Sequence, residues 1–227
     1  MPLGNDFEHI FDAISADQPI PKPLVSSVRQ ELNELQGLGR VVSDNVIPGT
    51  TKLKSDSPIV LIGSRKITTG LEVATFDFQV PTDFDHLQLW VRAAVDNASN
   101  TVLELRFNDD SGTNYEHQSV YGSATTAGAA FSTTQTSLGL GAIAGTTAPA
   151  GSTSSSIIWM PHYSDEGVWQ TVHTHEGFVD TPSTVQSVVM QKGWWKATDR
   201  VAKLTIFNTD GYDFSAGSIF SLYGLRG

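Results

Sequence analysis

The sequence predicts an all-β protein: a two-sheet antiparallel sandwich of jelly-roll type, preceded by a short helical N-terminal segment. Three observations carry this. Runs of five to ten residues alternate apolar and polar side chains, the period of a strand with one buried and one wet face. Clusters rich in Asn, Asp and Gly separate those runs. Helical spacing is confined to residues 1–57.

Within that segment, Phe7, Ile10, Phe11 and Ile14 recur at i, i+3, i+4 and i+7, which makes one amphipathic face. "QPIPKP" (18–23) ends it, because each proline restricts the residue before it. Val25, Val28, Leu32 and Leu35 then follow at spacings of three, four and three, a heptad seam closed by Gly37 and Gly39. A helix of about three turns is not stable alone in water, so this seam needs a partner. The chain's own β-domain is one candidate; other copies around a symmetry axis, as a homotrimer joined through those four residues, are the other. Residues 1–57 are therefore read as an anchoring and oligomerisation segment and residues 58–227 as the sandwich.

Strands succeed one another over 58–121 and 156–227 without interleaved helices. "TFDFQV" alternates Phe76, Phe78 and Val80; "HLQLWVRAAV" alternates Leu87, Leu89, Val91, Ala93 and Val95; "TVLELRF" alternates Leu103, Leu105 and Phe107. "SIIWM", "VWQTVHTH", "TVQSVVM", "VAKLTIF" and "SIFSLYGL" continue the series. In the last of them, Phe220 and Leu222 face one side, Ile219 and Tyr223 the other. Turns fall at "VDNASN", "NDDSGTN" and "NTDGYD". Residues 122–156 interrupt the pattern with a long, nearly uncharged stretch of small residues. It reads as a loop, with a strand or two around Phe131, Leu138, Leu140 and Ile143 that neighbouring subunits order.

Composition narrows the function. A net charge of −10 sets up a field that repels nucleic acid and anionic membrane, so neither is an expected partner. No run approaches the ~18 apolar residues of a spanning helix. With no cysteine there is neither a disulfide scaffold nor a thiolate metal site. "MPLGNDFEHIFDAISADQ" is acidic and lacks the apolar region of a secretory signal, so synthesis in a cytoplasm is expected.

Candidate chemistry is sparse. "GVWQTVHTHE" (167–176) opens like the first metal motif of the cupins, with His173 and His175 on one face of a strand. Asp180 and Ser187 stand where that motif requires glutamate and glycine, and no second motif follows, so a cupin-like metal-dependent enzyme is the weakest reading. "FNDDSGTNY" (107–115) offers Asn108, Asp109, Asp110 and Asn114 as calcium donors, but Asx residues with glycine are also what a β-turn requires. No nucleophile elbow, phosphate loop or zinc-protease motif is present, so no catalytic residue and no cofactor is expected. Trp90, Trp159, Trp169, Trp194 and Trp195 together offer a sugar platform; the alternative is that Trp90 and Trp159 are core or inter-sheet residues, and the neighbours Trp194 and Trp195 must point opposite ways. Trp169 and Trp195 are the candidate platform for a glycan, whose C–H face suits a flat aromatic ring.

The segment "GWWKATDRVAKLTIFNTDGYDFSAGSIFSLYGLRG" (193–227) resembles the ending of a group of tailed-bacteriophage virion proteins. Their close runs from a Trp through a strand of the "ITKITI" kind to "G-N-F-x-A-G-S-x-x-x-L-Y-G-L". Here it is matched by Trp195, "VAKLTI" (201–206), Gly211, Phe214, Ala216, Gly217, Ser218, Leu222, Tyr223, Gly224 and Leu225, with Asp213 where Asn is usual. "LRFNDDSGTNYEHQSVYGS" (105–123) is similar to the family's "L-x-F-N-x-D-x-G-x-N-Y", and "IIWMPHYSD" to its "I-x-I-P-N-Y", with His162 for Asn. The resemblance spans about residues 75–227. It implies a jelly-roll-like domain in a minor tail, baseplate, fibre or head-decorating role, with no catalytic residues. The expectation is thus a non-enzymatic virion protein on the particle surface, bound to other virion proteins through residues 1–57. The alternative is a carbohydrate-binding module that recognises a host-surface glycan.

Overall fold

A computed structural model describes residues 58–69, 73–179 and 186–226. The helices and the seam of Val25, Val28, Leu32 and Leu35 lie outside the described residues. Twelve strands run through the described part: β1 (Ile59–Lys66), β2 (Thr75–Gln79), β3 (His86–Ala93), β4 (Thr101–Phe107), β5 (Tyr115–Ser123), β6 (Thr126–Gln135), β7 (Leu138–Ile143), β8 (Ser154–Pro161), β9 (Gln170–Val179), β10 (Gln186–Trp195), β11 (Lys203–Asn208) and β12 (Ile219–Leu225). They form an eight-stranded sheet, in the order β1-β12-β3-β8-β9-β10-β5-β6, and a four-stranded sheet, β2-β11-β4-β7. All ladders are antiparallel.

The order is that of a jelly roll. β1 pairs with β12, β2 with β11, β3 with β8 and β4 with β7, so the chain is a doubled ribbon wrapped between two sheets. Two hairpins are inserted into this ribbon: β5–β6 between β4 and β7, and β9–β10 between β8 and β11. Both add to the same sheet, beyond β8, and widen it to twice the strand number of its partner.

Alternation decides which residues meet between the sheets. Leu87, Leu89 and Val91 of β3, Ile158 and Met160 of β8, and Phe220 and Leu222 of β12 point inward from the large sheet. Phe78, Leu103, Leu105, Phe107, Leu204 and Ile206 meet them from the small one. Each such side chain, fully buried, stabilises the fold by roughly 1.5–3 kcal/mol. Phe76 and Phe214 pack edge-on against Phe220 at 4.8 and 4.9 Å between ring centres, tying the two sheets together beside β12. The expected two faces of β12 are present: Phe220 and Leu222 are buried, while Ile219 and Tyr223 are partly exposed.

The stretch 122–156, expected to be a loop, is mostly strand. β6, β7 and the start of β8 occupy it. Leu138, Leu140 and Ile143 are buried in this chain's own core, so these side chains need no neighbouring subunit to order them. Glycines alternate with leucines in "LGLGAI", which let β7 lie close over the inner face of the widened sheet.

Candidate ligand-binding face

Because the large sheet packs on the core through one face, its other face is turned to solvent across all eight strands. Two side-chain rows cross it. One runs Leu61, Tyr223, Gln88, Trp159, His173, Lys192, Gln118 and Phe131, each opposite the next on the neighbouring strand. The other runs Ser64, Ser221, Trp90, Ile157, His175, Met190, Val120 and Ala129. Trp90 is 49% exposed and Trp159 43%. The expectation that these two are core residues is therefore corrected. Trp90 falls between the buried Leu89 and Val91, and Trp159 between the buried Ile158 and Met160, so the strand period turns both indoles outward.

The face is not flat. Gln88, Ile157, Trp159, Pro161, His173 and His175 line a depression of about 590 Å³. Two shallower hollows adjoin it and share His175, one beside Trp90 and Val188, the other beside Met190 and Lys192. Trp90 leans on Tyr223 at 5.2 Å between ring centres, and the His86 ring stands 6.1 Å from that of Trp159. Burial, helped by the neighbouring Lys192 and His175 charges, holds the His173 pKa below the ordinary histidine value.

Trp195 does not belong to any platform. It is 2% exposed, stacked near Tyr115 and Phe107, and its indole N–H donates to Asp110 Oδ2 at 2.6 Å. Its candidacy for glycan stacking is corrected, since a buried ring presents no face to a sugar. Trp194, its neighbour, is half-buried on the outward side with the Lys192 ammonium 5.6 Å from its ring centre. Trp169 is 54% exposed in the connection before β9, and it does not line the hollows described above.

The "FNDDSGTNY" turn uses its oxygens internally. Asp110 Oδ1 accepts from the Gly112 N–H at 2.8 Å, and Oδ2 from the Asn114 amide at 2.9 Å as well as from Trp195. Asn108 Oδ1 accepts from the Ala202 and Lys203 backbone, at 2.8 and 3.1 Å, which fixes the start of β11. Asn108 and Asp109 adopt left-handed φ values of 51° and 59°, a conformation Asx residues tolerate. Asp109 pairs with Lys203 at 2.7 Å, and that bond holds its pKa below the usual carboxylate value. His162 sits against His86, 4.6 Å between ring centres. Among the described residues no group of three or more His, Asp or Glu side chains is placed to hold a metal ion.

A buried carboxylate lies under this face. Glu176 has the opposite parity to His173 and His175, so β9 turns it inward beneath β7. The Ala142 N–H donates to its Oε1 at 2.6 Å, while Oε2 has no hydrogen-bond partner. Burial pushes its pKa up to about 7, against the opposing pull of the Ala142 bond.

Fold and face together define a jelly-roll sandwich with a wide, solvent-facing sheet surface rich in aromatic and imidazole groups. No protein-family model matches the chain, and no match is found among curated proteins or solved structures.

Proposed function

We propose that this chain is a non-enzymatic structural protein of a bacteriophage virion, an attachment module in the tail, baseplate or fibre or a decoration of the capsid. The observation that supports the reading is where the family-like residues lie. Trp195, Asp110, Asn114 and Tyr115 form one hydrogen-bonded and stacked knot that joins a turn of the small sheet to β10. Phe214 and Ser218 pack the connection into β12, where Ser218 Oγ stands 3.2 Å from both the N–H and the carbonyl oxygen of Ala94. The motif residues thus maintain a framework rather than a reaction centre, as a particle component requires. Residues 1–57 would then join the sandwich to other virion proteins, as a homotrimer through Val25, Val28, Leu32 and Leu35. Labelled antibody against residues 58–227, viewed on intact particles by electron microscopy, tests this. Decoration of the particle surface is expected; particles that lack the chain overturn it.

A second reading is favoured by a specific observation: Trp90 and Trp159 hold exposed indoles on one sheet face, as a carbohydrate-binding module would. Host recognition through a surface glycan is compatible with a virion role and is checked separately. The full chain retained on host polysaccharide supports it, and silence on every host polysaccharide fraction removes it.

A further inference from the structure

We propose that the outer face of the large sheet, centred on Trp90, Trp159, His173 and His175, binds an anionic oligosaccharide. This rests on the carbohydrate-binding reading and adds to it the site and the charge of the ligand.

The charge argument comes from how the acidic residues are distributed. The molecule carries a net charge of −10, yet the eight strands of the large sheet contain just two carboxylates, Glu116 and Glu176. Glu176 faces the interior, and Glu116 is paired with the Lys196 ammonium at 2.7 Å. Lys66, Arg92 and Lys192 lie on the outward rows of the same strands, as do His86, His173 and His175. The carboxylates of the described part are otherwise in connections or on the small sheet, Asp77 and Asp109 around Lys203 among them. Among the described residues, this face is thus free of unpaired negative charge, and a ligand with carboxylates or other acidic groups meets cations there.

Shape and chemistry identify the ligand as a sugar rather than another polyanion. Trp90 and Trp159 are diagonal neighbours on adjacent strands, their backbone positions roughly 7–8 Å apart, so two indoles are offered on one face to a ligand longer than a single sugar. The hollow beside Trp159 contains the Gln88 amide and two imidazoles, groups that hydrogen-bond hydroxyls in either direction. Single-stranded nucleic acid also stacks on aromatic rings, but it needs a groove of cations that tracks the phosphates. Here Arg92 and Lys192 stand on rows separated by the Trp90–His175 row, with no such line between them.

The test is an array carrying uronate- and sialate-bearing glycans beside neutral ones, probed with the full chain, then titration of the best binder by tryptophan fluorescence. Binding confined to anionic glycans is expected, weakened at least tenfold by Trp159→Ala and by Lys192→Glu, and reduced by salt. Thermal unfolding of both variants checks that the fold is kept; Lys192→Glu changes only an exposed side chain and carries the result if Trp159→Ala is unstable. Equal binding to neutral glycans, or anionic binding untouched by both variants, overturns the site assignment while leaving a carbohydrate-binding role standing. No glycan bound at all, or oligo(dT) bound instead, overturns both.

Discussion

Gly141 and Glu176 occupy each other's space. A Cβ added to Gly141 would overlap the Glu176 carboxyl and stand 2.8 Å from its Cγ, and the glycine holds φ at +127°, where an L side chain is strained. The irregularity in the β4–β7 ladder at this point, between Leu103 and Glu104, goes with that backbone. Gly141→Ala is expected to cost about 2–4 kcal/mol through strain and overpacking together, read as a lower urea midpoint.

Glu176 makes stability depend on pH in an unusual direction. Its folded pKa of about 7 lies above the ordinary 4.5, so the native state binds the proton more tightly than the unfolded chain. The carboxyl therefore costs nothing below about pH 4.5, and stability falls as pH rises from there through about 7, by up to about 3 kcal/mol. Glu176→Gln removes that slope. Melting temperatures of the two proteins compared between pH 5 and 8 should converge at the acid end and diverge at the alkaline end, the glutamine variant being the more stable there.

Trp195 and Asp110 make the opposite kind of contribution. Burial of Asp110 favours its neutral form, but the donors Trp195, Asn114 and Gly112 together outweigh it and hold the pKa below the ordinary value. Those bonds stabilise the fold above the unfolded carboxyl pKa and are lost as pH falls through the lower, folded one. Trp195→Phe deletes one donor to a charged acceptor and is expected to cost about 2 kcal/mol at pH 7, with a smaller loss at pH 3.

β6 is an edge strand of the large sheet, ten residues long, with no charged side chain and Phe131 61% exposed. Unprotected edges of this kind pair with other chains. Ala130→Lys is expected to lower light scattering on heating while moving stability by no more than about 0.5 kcal/mol. Scattering unchanged by the added charge would show that aggregation starts elsewhere.

Much of the architecture was legible because alternation is a local signal. Leu87, Leu89, Val91 and Ala93 reveal β3, and the same parity turns Trp90 outward, against its reading as a core residue. Trp159 could not be placed this way, since "IIWMP" is apolar at every position and either face reads as buried. The pair Trp194 and Trp195 had to split, but which one turned inward depended on Gly193. A Cβ there would overlap the Leu138 side chain of β7, so the side chains of that parity face the core. β6 and β7 were obscured by their small residues, whose strand preference is weak until the sheet is present to pair with. Glu176 was hidden for a different reason: its burial depends on β7 crossing above β9, a contact between strands distant in sequence.

The wrapped ribbon also sets an order of events in time. Ser64 and Ser221, whose hydroxyls lie 3.0 Å apart, are separated by 157 positions in the chain. β12 is the strand that joins β1 to β3, so β1 has no partner in the large sheet until residues 219–225 have been made. Loop closure over such spans is slow, and sandwiches of this contact order fold on the order of milliseconds to seconds. β1 and one edge of β3 therefore stay unpaired until β12 is in place, which makes that interval, rather than the finished molecule, the time at which a chaperone would hold the chain.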